Sequence, residues 1–344
     1  MIPFLHKKTI SCGLNVGTSW LKMVCLRKER QGISLDRLGN MVLPVRAKGD
    51  SRAVGKAAKV LHTSLSCNNT IVTSSLRGHE VIVKYMQIPL TKDMLPVVEK
   101  EAGEQIPFDL ADLYLDFQVI KPGEKKAKKG EVMVVATKKK VVTDLEATLD
   151  IAGLSLAVVD VDAFALHNCF AFNYPEQTEP VYLLDIGSGQ SILGIHEPGR
   201  PFYFREFGFG GQQITQAVAK ELAISLEDAE GFKLKGFPDN QHLEASHCMT
   251  EVCRHWCQEM KRVEHFFQTS TTISAVPKTM YVSGGGGLLP GLISLFASEL
   301  DLEITYLEPW RKIDVDTNQF DHDYIKAVGP LFAIPTGLAL RGCL

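Results

Sequence analysis

Short apolar runs alternate with stretches of helical spacing along most of the chain, a pattern typical of α/β proteins. The runs that predict strands are 20–26, 70–73, 81–88, 113–120, 131–137, 155–161, 181–186, 191–195 and 279–283. The segments that predict helices are 53–65, 91–105, 142–152, 163–170, 212–222, a mostly helical stretch to about 270, 288–299 and 324–340. Thr91 is the predicted N-cap of its helix, and Pro330 and Pro335 are expected to break or kink the last one.

One pattern occurs twice, about half a chain apart. Gly13-Leu-Asn-Val-Gly-Thr-Ser19 resembles Leu183-Leu-Asp-Ile-Gly-Ser-Gly189. Each copy is an apolar strand, a polar residue, a turn of small residues and a second strand. Two halves that begin alike predict a duplicated, two-lobed α/β protein with a cleft between the lobes. The block 81–157 has a β-α-β-β-α-β pattern and is compact enough to be an inserted subdomain.

Composition and charge exclude several classes of protein. The 344 residues, at ~150 per domain, suggest about two domains. A net charge of −3 and a pI of about 6.4 give no global attraction to nucleic acid, so no nucleic-acid partner is expected. No apolar run approaches the ~18–20 residues that span a bilayer. Lys7 and Lys8 follow the first apolar residues, the reverse of a signal peptide, so a cytoplasmic protein without a transmembrane segment is expected.

The eight cysteines are scattered along the chain, which fits a reducing compartment. Cys12, Cys25 and Cys169 lie in apolar runs and are expected to be small core residues. One group has side chains that can bind zinc, but a continuous helix without a knuckle turn favours an ordinary apolar helix face; its members are His247, Cys248, Cys253, His255 and Cys257. The lysine-rich segment 121–130 is interpreted first as a solvated hairpin turn, with an anionic membrane surface as the alternative contact.

Five segments offer the small residues and backbone N–H groups that a phosphate needs, or polar groups for a nucleoside. They are Gly17-Thr18-Ser19 with Lys22, Gly187-Ser188-Gly189, Gly210-Gly211 with Thr215, the run 284–287, and the helical i, i+3 pair Glu230 and Lys233. A single glycine turn or ion pair indicates little by itself, since most are only turns and surface contacts. Their order along the chain is the informative feature.

That order is the order of nucleotide contacts in actin-like ATPases, and the resemblance extends over nearly the whole chain. The matching blocks are 13–24, 83–90, 101–108, 115–120, 159–166, 184–187, 210–215, 228–233, 283–291 and 337–341. Ile106-Pro-Phe108 and Val161-Asp-Ala-Phe-Ala165 are the most specific of them. On these residues the chain resembles the PilM family, FtsA-related cytoplasmic proteins of type IV pilus assembly.

The resemblance implies an α/β, actin-like fold with two ribonuclease-H-like lobes around an ATP cleft and a small inserted α+β subdomain. The implied boundaries are 1–80 plus 158–178 for the first lobe, 81–157 for the insert, 179–335 for the second lobe with a mainly helical part at about 212–275, and 336–344 for a C-terminal segment returning to the first lobe. The implied function is binding of ATP and Mg²⁺ and capture of the N-terminal cytoplasmic peptide of a PilN-like inner-membrane protein. Other pilus assembly proteins are further partners, and the protein would sit peripherally at the inner membrane.

Carried over by motif, the nucleotide-binding residues fall into four groups. The residues that would face the phosphates are Gly17, Thr18, Ser19 and Lys22. Asp185 would hold the Mg²⁺ shell, and Gly187 and Ser188 would lie beside it. Gly210 and Gly211 would approach the phosphates or ribose, and Glu230 and Lys233 would flank the ribose and base. The wall of the adenosine site would be Gly284, Gly285 and Gly286.

Asn15 departs from the pattern, because actin-like ATPases usually carry Asp there. An amide keeps an oxygen near the hydrated Mg²⁺ but removes a charge, so nucleotide binding with weak or absent hydrolysis is predicted. Whether the protein is an enzyme at all is left open. The alternatives are a small-molecule kinase on the same fold, with Asp116 or Asp160 as its base, and a filament former like FtsA or MreB.

Overall fold

The computed structural model describes residues 9–44, 49–67, 70–121, 129–236, 242–270 and 273–343. The first eight residues, and most of the lysine-rich segment predicted as a hairpin tip, lie outside this part of the chain. Among the helices described, none is long and apolar enough to cross a membrane.

The described residues form thirteen strands, most of them near the predicted runs. The strands are β1 (Thr9–Val16), β2 (Trp20–Glu29), β3 (Gly32–Val42), β4 (Ile71–Leu76), β5 (Val81–Pro89), β6 (Leu113–Lys121), β7 (Lys129–Lys138), β8 (Ser155–Val161), β9 (Val181–Ile186), β10 (Ser191–His196), β11 (Tyr203–Phe207), β12 (Thr279–Ser283) and β13 (Glu303–Tyr306). The sequence pattern did not predict β3, β11 and β13.

Ten α-helices connect and cover these strands. They are α1 (Ser51–Ser64), α2 (Leu95–Gln105), α3 (Lys139–Ala152), α4 (Asp162–Asn173), α5 (Gly211–Glu221), α6 (Leu226–Lys235), α7 (His242–Ser270), α8 (Leu292–Leu300), α9 (His322–Val328) and α10 (Ala333–Arg341). Short 3-10 turns precede two of them, at Gly285–Leu288 and Gly329–Phe332.

Two five-stranded sheets have the same topology. Their strand orders are β3-β2-β1-β4-β8 and β11-β10-β9-β12-β13. In each of these orders the first three strands pair antiparallel, and the third, fourth and fifth strands pair in parallel. The predicted duplication and two-lobed α/β architecture are therefore confirmed.

A third, three-stranded sheet lies within the predicted insert. Its order is β5-β7-β6, and α2 packs on it with Val98 and Ala102 buried. The following helix α3 packs instead on α1, and β8 pairs in parallel with β4 of the first large sheet. Within the predicted insert, α3 and β8 therefore contact elements of the first large sheet and its covering helix. The local β-α-β-β-α-β pattern could not show that its last strand pairs outside the block.

Three helix ends also differ from the prediction. Thr91 does not cap α2, because the helix begins at Leu95 and the Thr91 hydroxyl donates to the carbonyl of Asp93. The predicted helix at 288 begins only at Leu292, after a 3-10 turn. Pro330 lies in the break between α9 and α10, but Pro335 fits inside the first turn of α10, where its missing N–H removes no hydrogen bond.

The C-terminal helix α10 packs so closely against β1 of the first large sheet and against α4 that their backbones are in contact. A Cβ added to Gly337 would lie 1.8 Å from the carbonyl oxygen of Ala165 in α4. A Cβ added to Gly13 of β1 would lie 2.2 Å from the carbonyl oxygen of Pro335. Glycine at both positions therefore allows the strand and the two helices to pack this closely.

Replacing Gly337 with alanine tests this packing. The added methyl group cannot fit without separating α10 from α4, so Gly337→Ala should lower the free energy of unfolding by about 3 kcal/mol in urea denaturation. Gly103→Ala in α2 is the control, because the nearest atom to its added Cβ is 3.6 Å away. The control should be neutral or up to about 1 kcal/mol stabilising. Equal stabilities of the two variants would contradict the packing account.

Candidate functional site

A cavity of about 420 Å³ lies between the two large sheets. This volume is in the range of small-molecule and cofactor sites. Most of the predicted nucleotide-binding residues line it: Gly17, Thr18, Ser19, Lys22, Asp185, Gly187, Ser188, Gly211, Glu230, Lys233, Gly285 and Gly286, together with Asn15. The structure thus brings segments from both halves of the chain to one place.

The two predicted turns have matching geometry. The Gly17 N–H donates to the carbonyl of Trp20 at 2.9 Å, and the Gly187 N–H donates to the carbonyl of Gln190 at 2.9 Å. Added Cβ atoms at the two glycines would lie 2.8 and 2.7 Å from those same carbonyl oxygens. Glycine is therefore required for each tight turn. The turns meet through the hydroxyl groups of Ser19 and Ser188, whose oxygens are 2.8 Å apart.

Two buried carboxylates and one amide lie on the floor of the cavity. Asp185 is the penultimate residue of β9 and accepts a hydrogen bond from the Ser283 hydroxyl at 2.7 Å. Asp162, the first residue of α4, accepts from the Asn15 amide at 3.0 Å and from the Ser75 hydroxyl at 2.5 Å. The Asn15 side chain in β1 therefore orients Asp162, a role that its place in the sequence motif alone did not indicate.

Burial dominates the electrostatics of these groups. It raises the pKa of Asp162 from 3.8 to about 7, opposed by the Ser75 hydrogen bond and reinforced by the charge of Asp185. Burial also raises the pKa of Asp185, while Lys22 and the Ser283 hydrogen bond oppose that rise. The pKa of the Lys22 ammonium is lowered by burial, although both carboxylates favour its charged form. A cation bound beside the carboxylates would stabilise their ionised forms.

Asp162, Arg77 and Glu206 line the cavity but were not among the predicted site residues. Glu206 accepts a hydrogen bond from the Gly78 N–H at 2.7 Å, which joins the second sheet to the end of the first. Arg77 directly follows β4, so its position at the carboxyl end of a parallel strand was the available signal. For Asp162 the signal was its place between a strand and a helix, inside a block already noted as specific to one family.

The predicted pair Glu230 and Lys233 is more than a surface ion pair. The Lys233 side chain is 7% exposed, and its ammonium donates to the Glu230 carboxylate at 2.6 Å. It also donates to the Thr215 hydroxyl at 2.9 Å and to the Gly211 carbonyl at 3.1 Å. Lys233 therefore joins α6 to the first turn of α5, and the half-exposed Glu230 borders the cavity.

Two predicted glycines do not line the cavity but hold its wall in place. A Cβ on Gly210 would lie 2.6 Å from the carbonyl oxygens of Gly187 and Ser188. Gly284 has a φ of +82° and would bring a Cβ within 2.4 Å of the Ile186 carbonyl. The N–H groups of Gly211 and Gln212 already donate to the Gly187 and Ser188 carbonyls, at 3.0 and 2.7 Å. The start of α5 is thus fastened to the second turn.

In the described part of the chain, the alternative sites that the sequence suggests do not come together. His247 and His255 are exposed on α7, whereas Cys253 and Cys257 are buried on its apolar face. Asp116 is exposed on the insert. Asp160 in β8 forms an ion pair with Arg341 of α10, with a nitrogen–oxygen distance of 3.2 Å. Neither carboxylate is among the residues that line the cavity.

Comparison with known proteins now identifies the family. The family model described as "Type IV pilus assembly protein PilM" matches residues 13–343. The chain belongs to this family. A solved "PilM-PilN type IV pilus biogenesis complex" is 28% identical, with a TM-score of 0.85 over 97% of this chain and 98% of that one. The predicted family and the actin-like fold are confirmed, and the protein is a PilM-like protein of type IV pilus assembly.

More distant structures share the fold alone. The ethanolamine utilization protein EutJ from Carboxydothermus hydrogenoformans is 16% identical, with a TM-score of 0.57 over 96% of this chain and 89% of that one. A diol dehydratase-reactivating factor in nucleotide-free form is 8% identical, with a TM-score of 0.57 over 97% and 99% of the two chains.

The raised pKa of Asp162 predicts a pH dependence of stability. Because the folded-state pKa lies above the unfolded value, this group favours folding at low pH, and that contribution is lost as pH rises through about 7. Asp162→Asn should therefore lose less stability than the wild type between about pH 5 and pH 8 in urea denaturation. Asp116→Asn, an exposed carboxylate substitution, should follow the wild-type curve. An Asp162→Asn curve parallel to the wild type would contradict the prediction.

Proposed function

We propose that this PilM-family protein binds ATP with Mg²⁺ in the cavity and captures the N-terminal cytoplasmic peptide of a PilN-like inner-membrane protein. The observation that carries the nucleotide part is the pair of matching glycine turns that meet at the lining of a cavity of about 420 Å³. Backbone N–H groups and small side chains at such turns suit a triphosphate. In this function the protein sits peripherally at the inner membrane and recruits other assembly proteins.

The residues present fit a magnesium ion. Mg²⁺ prefers hard oxygen ligands and keeps several waters, and Asp185 and Asp162 provide buried carboxylates in the cavity. Burial raises the pKa of both carboxyl groups, and a divalent cation beside them would stabilise their ionised forms. Asp185 and Asp162 would hold the hydrated ion, with Asn15 positioning Asp162. Bound Mg²⁺ would neutralise phosphate charge.

Hydrolysis of bound ATP is expected to be weak or absent. The amide of Asn15 removes one negative charge from the first turn and donates its hydrogen bond to Asp162. Asp162 is therefore engaged by Asn15 and Ser75, and the cavity-lining Glu206 is engaged by the Gly78 N–H. The nucleotide thus acts as a structural ligand that closes the two lobes on each other.

Lys22 provides the sharpest test of nucleotide binding. Its side chain reaches the cavity between the two carboxylates, so Lys22→Met should weaken binding of ATP–Mg²⁺ about 10- to 100-fold, as for a lost charge-assisted hydrogen bond. Isothermal titration calorimetry measures the affinity. Lys100→Met, an exposed lysine of α2, is the control and should bind as the wild type does. Unchanged affinity in Lys22→Met would place the triphosphate elsewhere.

The insert is the proposed surface for the peptide. It exposes several large apolar side chains, among them Leu95 at 47%, Phe108 at 44% and Tyr114 at 52%. Lys138 and Lys139 lie over the rings of Phe108 and Tyr114, at 4.3 and 5.8 Å from their centroids. An apolar surface bordered by lysines suits a short peptide with apolar and acidic side chains. A solved structure described as a PilM–PilN complex supports a PilN-like partner.

Titration with a labelled peptide from the N-terminus of a PilN-like protein tests this surface. Fluorescence anisotropy should show micromolar binding or tighter, and Tyr114→Ala should weaken it about tenfold by removing an aromatic anchor. Tyr324→Ala is the matched control, since Tyr324 is 53% exposed on α9. Repeating the titration with ATP–Mg²⁺ measures the coupling between cavity and surface. Equal affinities of the two variants would contradict the proposed location.

A further inference from the structure

Three cysteines from separate segments meet in the core of the first sheet. Cys12 lies in β1, Cys25 in β2, and Cys67 just after α1. The Sγ atoms of Cys12 and Cys25 are 2.9 Å apart, and each lies 3.5 Å from the Sγ of Cys67. The cluster is separate from the residues that line the nucleotide cavity.

The fold itself brings these sulphurs together. Cys12 and Cys25 are direct partners in the antiparallel β1–β2 pairing, so their side chains point to the same face of the sheet. Helix α1 covers that face, with Ala58 and Leu61 in the same core. Cys67 follows the end of α1 and reaches back to the pair, with 9% of its surface exposed.

The donor set selects a class of ligand. Within the described residues, no histidine or carboxylate joins the three sulphurs. Soft thiolates prefer soft metal ions, whereas Mg²⁺ and Ca²⁺ prefer oxygen ligands and structural Zn²⁺ usually takes four ligands. A three-sulphur set in an apolar core therefore suits an ion that accepts three ligands.

The spacing is close to that of a three-coordinate site. Metal–sulphur bonds of about 2.3 Å, the length of Zn–S bonds, place the sulphurs of a trigonal site about 4.0 Å apart. The three observed separations are 2.9, 3.5 and 3.5 Å. Each sulphur would move outward by less than about 1 Å, which side-chain rotation can supply.

We propose that Cys12, Cys25 and Cys67 form a buried three-thiolate site for a soft metal ion, with monovalent copper as its best match. Binding forms three copper–sulphur bonds, and the displaced thiol protons leave to solvent without electron transfer.

Retention of Cu(I) by the full chain tests the proposal. The protein is reduced with a non-thiol reductant under anaerobic conditions and titrated with Cu(I) against a coloured chelator. The wild type should retain about one equivalent with high affinity, and X-ray absorption of that complex should show sulphur-only coordination with three ligands. Cys67→Ser, the least buried of the three, should weaken retention about 10-fold or more.

Cysteines outside the cluster provide the controls. Cys248→Ser and Cys253→Ser change α7 and leave the three sulphurs in place, so both should retain Cu(I) as the wild type does. The proposal is overturned if the reduced wild type retains no ion or if Cys67→Ser retains it equally. Two- or four-ligand coordination in the absorption spectrum would also overturn it, and this readout does not depend on any variant folding. Tighter retention of Zn²⁺ at the same sulphurs would overturn the choice of copper.

Discussion

The carbonyl oxygen of Ala165 occupies the place where a side chain on Gly337 would have to lie. This contact brings α10 against α4, and the equivalent contact of Gly13 with the Pro335 carbonyl brings α10 against β1. Together they fix where α4 begins relative to the end of β1. Asp162, at the start of α4, thereby comes within hydrogen-bond distance of Asn15. The chemistry of the cavity floor thus depends on two glycines that do not line the cavity.

The two halves share a topology but differ in where they place charge. In the second half, the carboxylate is that of Asp185 on strand β9, and the Ser283 hydroxyl donates a hydrogen bond to it. In the first half, the corresponding residue on strand β1 is the neutral Asn15, and the nearby carboxylate is that of Asp162 in α4. Lys22, whose backbone pairs with Asn15 across the hairpin, faces both carboxylates. The single ammonium group of Lys22 does not neutralise both buried carboxylates. A hydrated divalent ion would supply the remaining positive charge.

Local chemistry explains which features could be predicted from the sequence. The turns at Gly17 and Gly187 need glycine for reasons contained within four residues, so their pattern was visible. The pairing of β8 with β4 was not visible in this way, because the whole inserted unit separates the two strands in the sequence. Asp162 had no spacing signal, since its partners Asn15 and Ser75 come from distant strands. Cys12 and Cys25 were expected in the core, but their approach to Cys67 depends on tertiary packing.

A crystal structure of the protein with a non-hydrolysable ATP analogue and Mn²⁺ in place of Mg²⁺ tests the central claim most directly. The account predicts triphosphate density between the Gly17 and Gly187 turns, with the anomalous peak of the metal beside Asp185 and Asp162. Glu230 should lie near the ribose or base. A nucleotide bound elsewhere, or a metal peak away from both carboxylates, would contradict the proposed role of the cavity.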